Sequence, residues 1–280
     1  MKTSVLLSCL AGTLLACTTS SRPSATAPVA AARPVTVTLD NYFNREFRTG
    51  PDGRPELFHY TWEDKQDSGY SQWGAIFTSK GAVLATLPTA PTRENLLATD
   101  LYIISDPDTE RETPQPNYMT DSHVAAVTRW VREGGVLVLL ANDSANAELT
   151  RFNQLAAQFG LAFTNKTRNA VVREDLSIGK IVVAEANPVL HVGSTLYLKG
   201  ISTLRATGGA TPLLTDRGDV IMATARLGKG TVFAVGDPWI YNEYIGNTHL
   251  PAEFQNNVAA EELTTWLLNQ VPPRRTLGGR

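Results

Sequence analysis

Hydrophobic positions along this chain switch repeatedly between a period of two and a period near 3.6. Residues 35–39 (VTVTL) are β-branched and predict a strand, and Tyr70, Trp73, Ile76 and Phe77 then mark one face of a helix that Gly81 ends. Residues 82–87 predict a strand, 93–97 a helical turn, and 101–104 (LYII) a short apolar strand bounded by Asp106-Pro107. Thr120, Asp121 or Ser122 can cap a helix with Val124, Val127, Trp130 and Val131 as its apolar stripe, closed by Gly134-Gly135. Residues 136–140 (VLVLL) carry no polar side chain on either face, the mark of a central parallel strand covered by helices on both sides. Phe152, Leu155, Ala156 and Phe159 follow at i, i+3, i+4, i+7, with Gly160 as a stop.

After Asn165 the pattern changes to short strands at 181–183, 195–198 and 219–225, separated by Gly, Asn and Pro. Leu227-Gly228-Lys229-Gly230 joins the last of these to 231–235 as a hairpin. A final helix carries Val258, Leu263, Trp266 and Leu267 and should pack back on the sheet. The expected fold is α/β: three layers, with a mostly parallel central sheet, an antiparallel extension and a hairpin.

The ends of the chain read differently. Met1-Lys2 is a short positive start, residues 5–15 are mostly apolar, and Leu14-Leu15-Ala16-Cys17 has the shape of a bacterial lipobox. An apolar run of about eleven residues is too short to span a bilayer. The expected organisation is a lipoprotein signal peptide at 1–16, a lipidated Cys17 and flexible tether at 17–34, the α/β domain at 35–270, and a frayed tail at 271–280. The chain would then sit in the cell envelope, attached to the membrane through its lipid alone. Thr18 after the cysteine, rather than aspartate, favours the outer membrane.

Composition narrows the chemistry. The 280 residues are 42% hydrophobic and 19% charged, enough apolar material for a real core. A net charge of −2 supplies no electrostatic reason to seek nucleic acid, so no nucleic-acid partner is expected. Of the two cysteines, Cys9 would leave with the signal and Cys17 would be acylated, so the folded domain would have no disulfide, cysteine nucleophile or cysteine-rich metal site to draw on. The four histidines show no HExxH spacing, no GxGxxG follows a strand, and no GxSxG elbow is present.

Candidate chemistry gathers where strands end. Asp40, Asn41, Tyr42 and Asn44 follow the first strand, and a loop carries Phe58, His59, Tyr60, Thr61, Trp62, Glu63 and Asp64 toward the first helix. Asp106 and Asp108 follow LYII, Asn142 and Asp143 follow VLVLL, and Asp237, Trp239, Tyr241, Asn242 and Glu243 follow the last strand. Parallel strands end side by side, about 4.8 Å apart, so these residues should converge on one crevice. Antiparallel placement of the last strand would remove Asp237. Asn and Asp after strands also make turns and caps, and Trp62, Trp73 and Trp239 suit a core as well as a site. No cofactor is expected, although Asp106, Asp108, Asp143 and Asp237, if gathered, could hold a hard divalent cation.

FHYTWEDKQDSGYSQWG (58–74), YIISDPDTE (102–110) with Pro116-Asn117-Tyr118, VREGGVLVLLANDSAN (131–146) and VIMATARLGKGTVFAVGDPWIYNEY (220–244) together resemble the C-terminal domain attached to bacterial unsaturated rhamnogalacturonyl hydrolases. The resemblance covers about residues 35–270 and implies an oligosaccharide of pectin as partner, alongside the enzymes that break such polysaccharides down. The (α/α)₆ barrel preceding the domain in those enzymes has no counterpart in these residues, so the resemblance does not carry hydrolase activity with it. The GGVLVLL and GDP strand ends also resemble the class I glutamine amidotransferase-like fold. Enzymes of that fold place a cysteine nucleophile where this chain has Ala141-Asn142-Asp143, which removes amidotransferase chemistry.

Two functions follow as expectations. One is carbohydrate binding, with tyrosine and tryptophan faces on sugar rings and Asn and Asp on hydroxyls, at Tyr42, Asn44, His59, Trp62, Glu63, Asp64, Asp106, Asp108, Asn142, Asp143, Asp237, Trp239, Tyr241 and Asn242. An acid-lined crevice would repel uronates unless Arg45, Arg48, Lys65, Arg111 or a cation offsets the charge. The alternative is a glycoside hydrolase drawing its paired carboxylates from Glu63, Asp64, Asp106, Asp108, Asp237 and Glu243.

Overall fold

The computed structural model describes Met1 and residues 33–246 and 249–273. The described residues between 33 and 273 form one compact unit. The expected signal segment beyond Met1, Cys17, nearly all of the expected tether and residues 274–280 lie outside the described residues.

In chain order the strands and helices are β1 (Thr36–Asp40), β2 (Phe47–Thr49), β3 (Pro55–Leu57), α1 (Ser71–Ser79), β4 (Val83–Leu87), β5 (Leu101–Ser105), α2 (Asp121–Glu133) and β6 (Val136–Leu140). They continue as α3 (Leu149–Ala156), β7 (Leu161–Arg168), β8 (Lys180–Val182), β9 (Thr195–Tyr197), β10 (Ile201–Ala206), β11 (Thr211–Asp216), β12 (Asp219–Leu227), β13 (Gly230–Val235), α4 (Asn242–Ile245) and α5 (Asn256–Gln270). A nine-stranded sheet runs β4-β1-β5-β6-β13-β12-β10-β7, with β11 also paired to β12. β4, β1, β5, β6 and β13 are mutually parallel. The β12, β11, β10 and β7 pairings are antiparallel. The sheet is therefore the expected parallel core with an antiparallel extension.

Alternation along the buried strands sorts their side chains into two cores, one on each face. Val136, Val138 and Leu140 of β6 join Trp73 and Phe77 of α1 and Ala260, Leu263 and Leu267 of α5. Leu137 and Leu139 join Val127 and Val131 of α2 and Phe152 and Leu155 of α3. All five β6 residues are fully buried, which accounts for a strand with no polar face. Helix ends follow local chemistry: the His123 ring accepts from the Thr120 backbone N–H at 3.3 Å at the start of α2. Gly134 ends that helix at φ 129°.

β2, β3, β7, β10 and β11 carry weaker period-two signals. β7 (LAFTNKTR) and β11 (TPLLTD) mix polar with apolar residues because much of each is solvent-exposed, and β10 is identified only by its partners. The hairpin of β12 and β13 forms as its turn residues predict, and β13 then lies parallel to β6 with Val235 opposite Leu140.

Candidate functional site

Register brings the strand ends together. Ser105 of β5 and Val235 of β13 both lie opposite Leu140 of β6, so Asp106, Asn142 and Asp237 leave the sheet at one level from three neighbouring parallel strands. Their shared rim opens into a cleft of about 460 Å³. His59, Tyr60, Ser68, Asn142, Asp143, Asn146, Lys199, Asp237, Tyr241 and Glu243 line it, with Gly200 and the apolar pair Ala170 and Val171 on one wall.

Asp237 is the most enclosed polar group of the lining, 1% exposed. Its Oδ2 accepts the Lys199 backbone N–H at 2.7 Å. Burial pushes its carboxyl up to about 8, against the smaller lowering effect of that hydrogen bond and of the Lys199 charge. Asp106 sits behind the lining, with Oδ2 accepting from Asn142 Nδ2 at 3.0 Å. Burial raises its carboxyl well above the ordinary range. Asp106 also holds a left-handed backbone at φ 44°, as do His59 at 57° and Tyr60 at 45°. Non-glycine residues tolerate that conformation only where their surroundings enforce it, and three of them adjoin this cleft.

The remaining charges of the lining are paired or folded into turns. Lys199 Nζ lies 3.5 Å from Glu243 Oε1 and over the Tyr244 ring. His59 Nδ1 is 2.6 Å from Glu46 Oε1. Asp143 accepts from Ala145 N at 2.8 Å and Asn146 Nδ2 at 2.9 Å, the turn role open to an aspartate after a strand. Tyr60 and Tyr241 pack 5.9 Å apart and are each under a tenth exposed, so neither offers an open face for stacking.

Of the residues expected from sequence, His59, Asn142, Asp143, Asp237, Tyr241 and Glu243 reach the cleft, with Asp106 directly behind. The others do not line it. Trp62 is core, packed on Trp73 and Phe77, and its indole N–H donates to Ala85 O at 3.0 Å, covering the free edge of β4. Trp239 is fully buried. Asp64 accepts from Gln66 N and Arg48 and braces its own loop, while Asp108 accepts from Arg45 N and Thr113. Asn242 clamps α1, accepting from Gln72 N at 3.0 Å and donating to Asp64 O and Gln66 O. Asn44 donates to Asp106 O, Tyr42 packs against Phe43 and His123, and Glu63 points to solvent. Burial without room for a ligand is the common reason for the tryptophans; backbone bracing is the reason for the acids and amides.

Asp108 thus leaves the group, and among the described residues no three His, Cys, Asp or Glu side chains gather as a set able to hold a metal ion. Tyr60, from the loop expected to converge there, also lines the cleft, and Lys199, Ser68 and Asn146 reach it without having been singled out. Lys199-Gly200 carries a faint signal, a lysine and a glycine at φ 59° between two short strands, but only tertiary packing sets it against Asp143 and Asp237. Arg45, Arg48, Lys65 and Arg111, the expected counter-charges, are not in the lining, where Lys199 takes that position.

A second row of groups resembles a catalytic triad. Ser194 Oγ lies 3.0 Å from His191 Nε2, and His191 Nδ1 lies 2.5 Å from Glu262 Oε1. Ser194 is fully buried and cannot meet a substrate, so the row ties the β8–β9 hairpin to α5.

No known family profile matches the chain, and no curated protein matches it significantly. Among solved structures it is similar to the mmIFT52 N-terminal domain, at 16% identity and a TM-score of 0.61, covering 83% of this chain and 97% of that one. It is also similar to the cytoplasmic protein STM1381 from Salmonella typhimurium LT2, at 14% identity and a TM-score of 0.50, covering 85% and 99%. A GH42 beta-galactosidase, Gan42B, is 16% identical with a TM-score of 0.49 over 88% of this chain and 31% of its own, a likeness too slight to build on. Identities this low establish a shared α/β architecture and nothing about activity.

Proposed function

We propose that this protein binds carbohydrate in the cleft at the ends of β5, β6 and β13, as a lipid-tethered component of the cell envelope. The observation that carries the reading is the lining itself. Amides, a hydroxyl, carboxyls and one lysine converge in a cleft of about 460 Å³, a mixture of donors and acceptors suited to sugar hydroxyls. Binding is favoured over catalysis because the acids there have oxygens committed to neutral donors: Asp143 to Ala145 N and Asn146, Asp237 to Lys199 N. Rhamnogalacturonan oligosaccharides are the first ligands to test, given the resemblance of the sequence motifs.

One observation favours a second reading. A carboxyl held neutral near pH 7, with Glu243 lining the same cleft, is the kind of pairing a glycoside hydrolase uses. Calorimetry with product analysis on rhamnogalacturonan oligosaccharides separates the two. Heat without product supports binding, product supports the hydrolase, and neither result removes both for this substrate. The lipid anchor has its own test: labelled palmitate should be incorporated by the bacterial lipoprotein pathway and lost in Cys17→Ser. Among the described residues no helix is long and apolar enough to cross a membrane.

A further inference from the structure

The two basic residues of the cleft are already matched by acids. Lys199 Nζ pairs with Glu243, and His59 Nδ1 with Glu46. The acids are not matched in return. Asp143 takes an N–H and an amide, and Asp106 behind it takes the Asn142 amide and faces the Tyr60 hydroxyl, all neutral groups. Asp237 lines the cleft while 1% exposed; its Oδ2 takes only the Lys199 backbone N–H, and its Oδ1 has no partner among the described residues. Once the carboxyl ionises, that oxygen, opening on the cavity, is an acceptor for which the protein supplies no donor. A uronate would bring another negative charge to this place and find no cation free to receive it.

Resting on the carbohydrate-binding reading, we infer that the ligand of this cleft carries a protonated amine, as an amino sugar does, and that the amine is received between Asp237 and Asp143. The groups acting on Asp237 are Lys199 from the β9–β10 loop, Asp143 from the loop after β6, and Glu243 from α4. Asp237 in turn acts on Tyr60, Tyr70, Tyr197 and Tyr241, which keep their protons. An ammonium beside Asp237 offsets its desolvation and favours the ionised carboxylate, so binding at neutral pH releases a proton. A uronate would have the opposite effect, holding the proton on.

The test is calorimetry on the full chain at about pH 7, in two buffers of different ionisation enthalpy. The probes are glucosamine oligosaccharides, their N-acetylated counterparts, galacturonate oligosaccharides of equal length, and the simple diamine 1,4-diaminobutane. The expected result is glucosamine binding at least about tenfold tighter than the N-acetylated form, galacturonate weakest, and up to one proton released per ligand. Asp237→Asn should abolish the proton release and most of the preference. Asp143→Asn, at a partly exposed turn, should weaken the preference while leaving the proton release, and a thermal melt of each variant confirms folding. If N-acetylated or galacturonate sugars bind as well as the amine, the inference falls and the carbohydrate reading stands. If the diamine binds and no sugar does, the carbohydrate reading falls and the amine preference stands. Amine binding that ignores Asp237→Asn overturns the assignment of the amine to this pair, and no binding by any probe ends both.

Discussion

Asp237 shapes the stability of the protein as well as its cleft. Its carboxyl stays protonated in the folded protein up to about 8 and in the unfolded chain only below 3.8. Between those values the native state holds the extra proton, so stability falls as pH rises from about 4 to about 8 and levels off beyond. Asp40, raised to about 7 by burial, and Asp108, raised to about 6, act in the same direction over narrower windows. Asp237→Asn should flatten the fall by on the order of a few kcal/mol, read from urea melts at about pH 5 and pH 8. An unchanged slope would mean that Asp237 ionises freely. Trp62 makes a contrasting case, because its indole fills the core beneath α1 and covers the edge of β4. Trp62→Ala should cost about 3–5 kcal/mol in denaturant unfolding while leaving ligand affinity in the folded protein within about twofold. A selective loss of affinity would restore Trp62 to the site.

At the scale of elements, the close meeting of β13 and β10 positions the acid. Ser202 N donates to Gly236 O at 2.9 Å, and a Cβ on Gly236 would lie 1.7 Å from Ser202 O. Only glycine fits there, one residue before Asp237. Gly236→Ala should push the strands apart, destabilise the protein by about 2–4 kcal/mol and weaken cleft ligands together with stability. Equilibrium unfolding with parallel calorimetry checks both effects. Elements with a buried apolar face, such as β6 and α2, were legible in the sequence because alternation and the 3.6 period are direct consequences of where each side chain points. β7 and β11 were not, since their half-exposed faces accept polar residues, nor was β10, whose buried Ser202 and Thr203 break the apolar pattern; only cross-strand partners define these strands.

Over the whole molecule, one amide joins the C-terminal helix to the wall that presents Lys199. Asn256, fully buried at the start of α5, accepts from Tyr197 N at 2.8 Å and donates to Tyr197 O at 2.9 Å, in effect extending the sheet at β9. Asn256→Ala would leave both backbone groups buried without partners, at roughly 1–3 kcal/mol each. Amide exchange should then accelerate across β8 and β9, and cleft ligands should weaken because Lys199 lies two residues beyond. Unaltered exchange there would show that the hairpin is held by its apolar contacts alone.

The strands and helices with a buried apolar face, the central position of residues 136–140, the hairpin at 227–230 and the acids at the strand ends were determined by local rules acting within a few residues. Those rules cannot tell a carboxylate spent on nearby backbone and side-chain donors, as Asp64 and Asp108 are, from one lining a cavity, as Asp237 does. That distinction depends on which backbone amides arrive from distant segments. The same dependence sent Trp62 and Trp239 inward and brought Lys199 to the rim from a part of the chain with no motif. Side-chain period is a property of each segment, whereas the charge balance of a cleft belongs to several segments at once, and only the folded sheet sets them side by side.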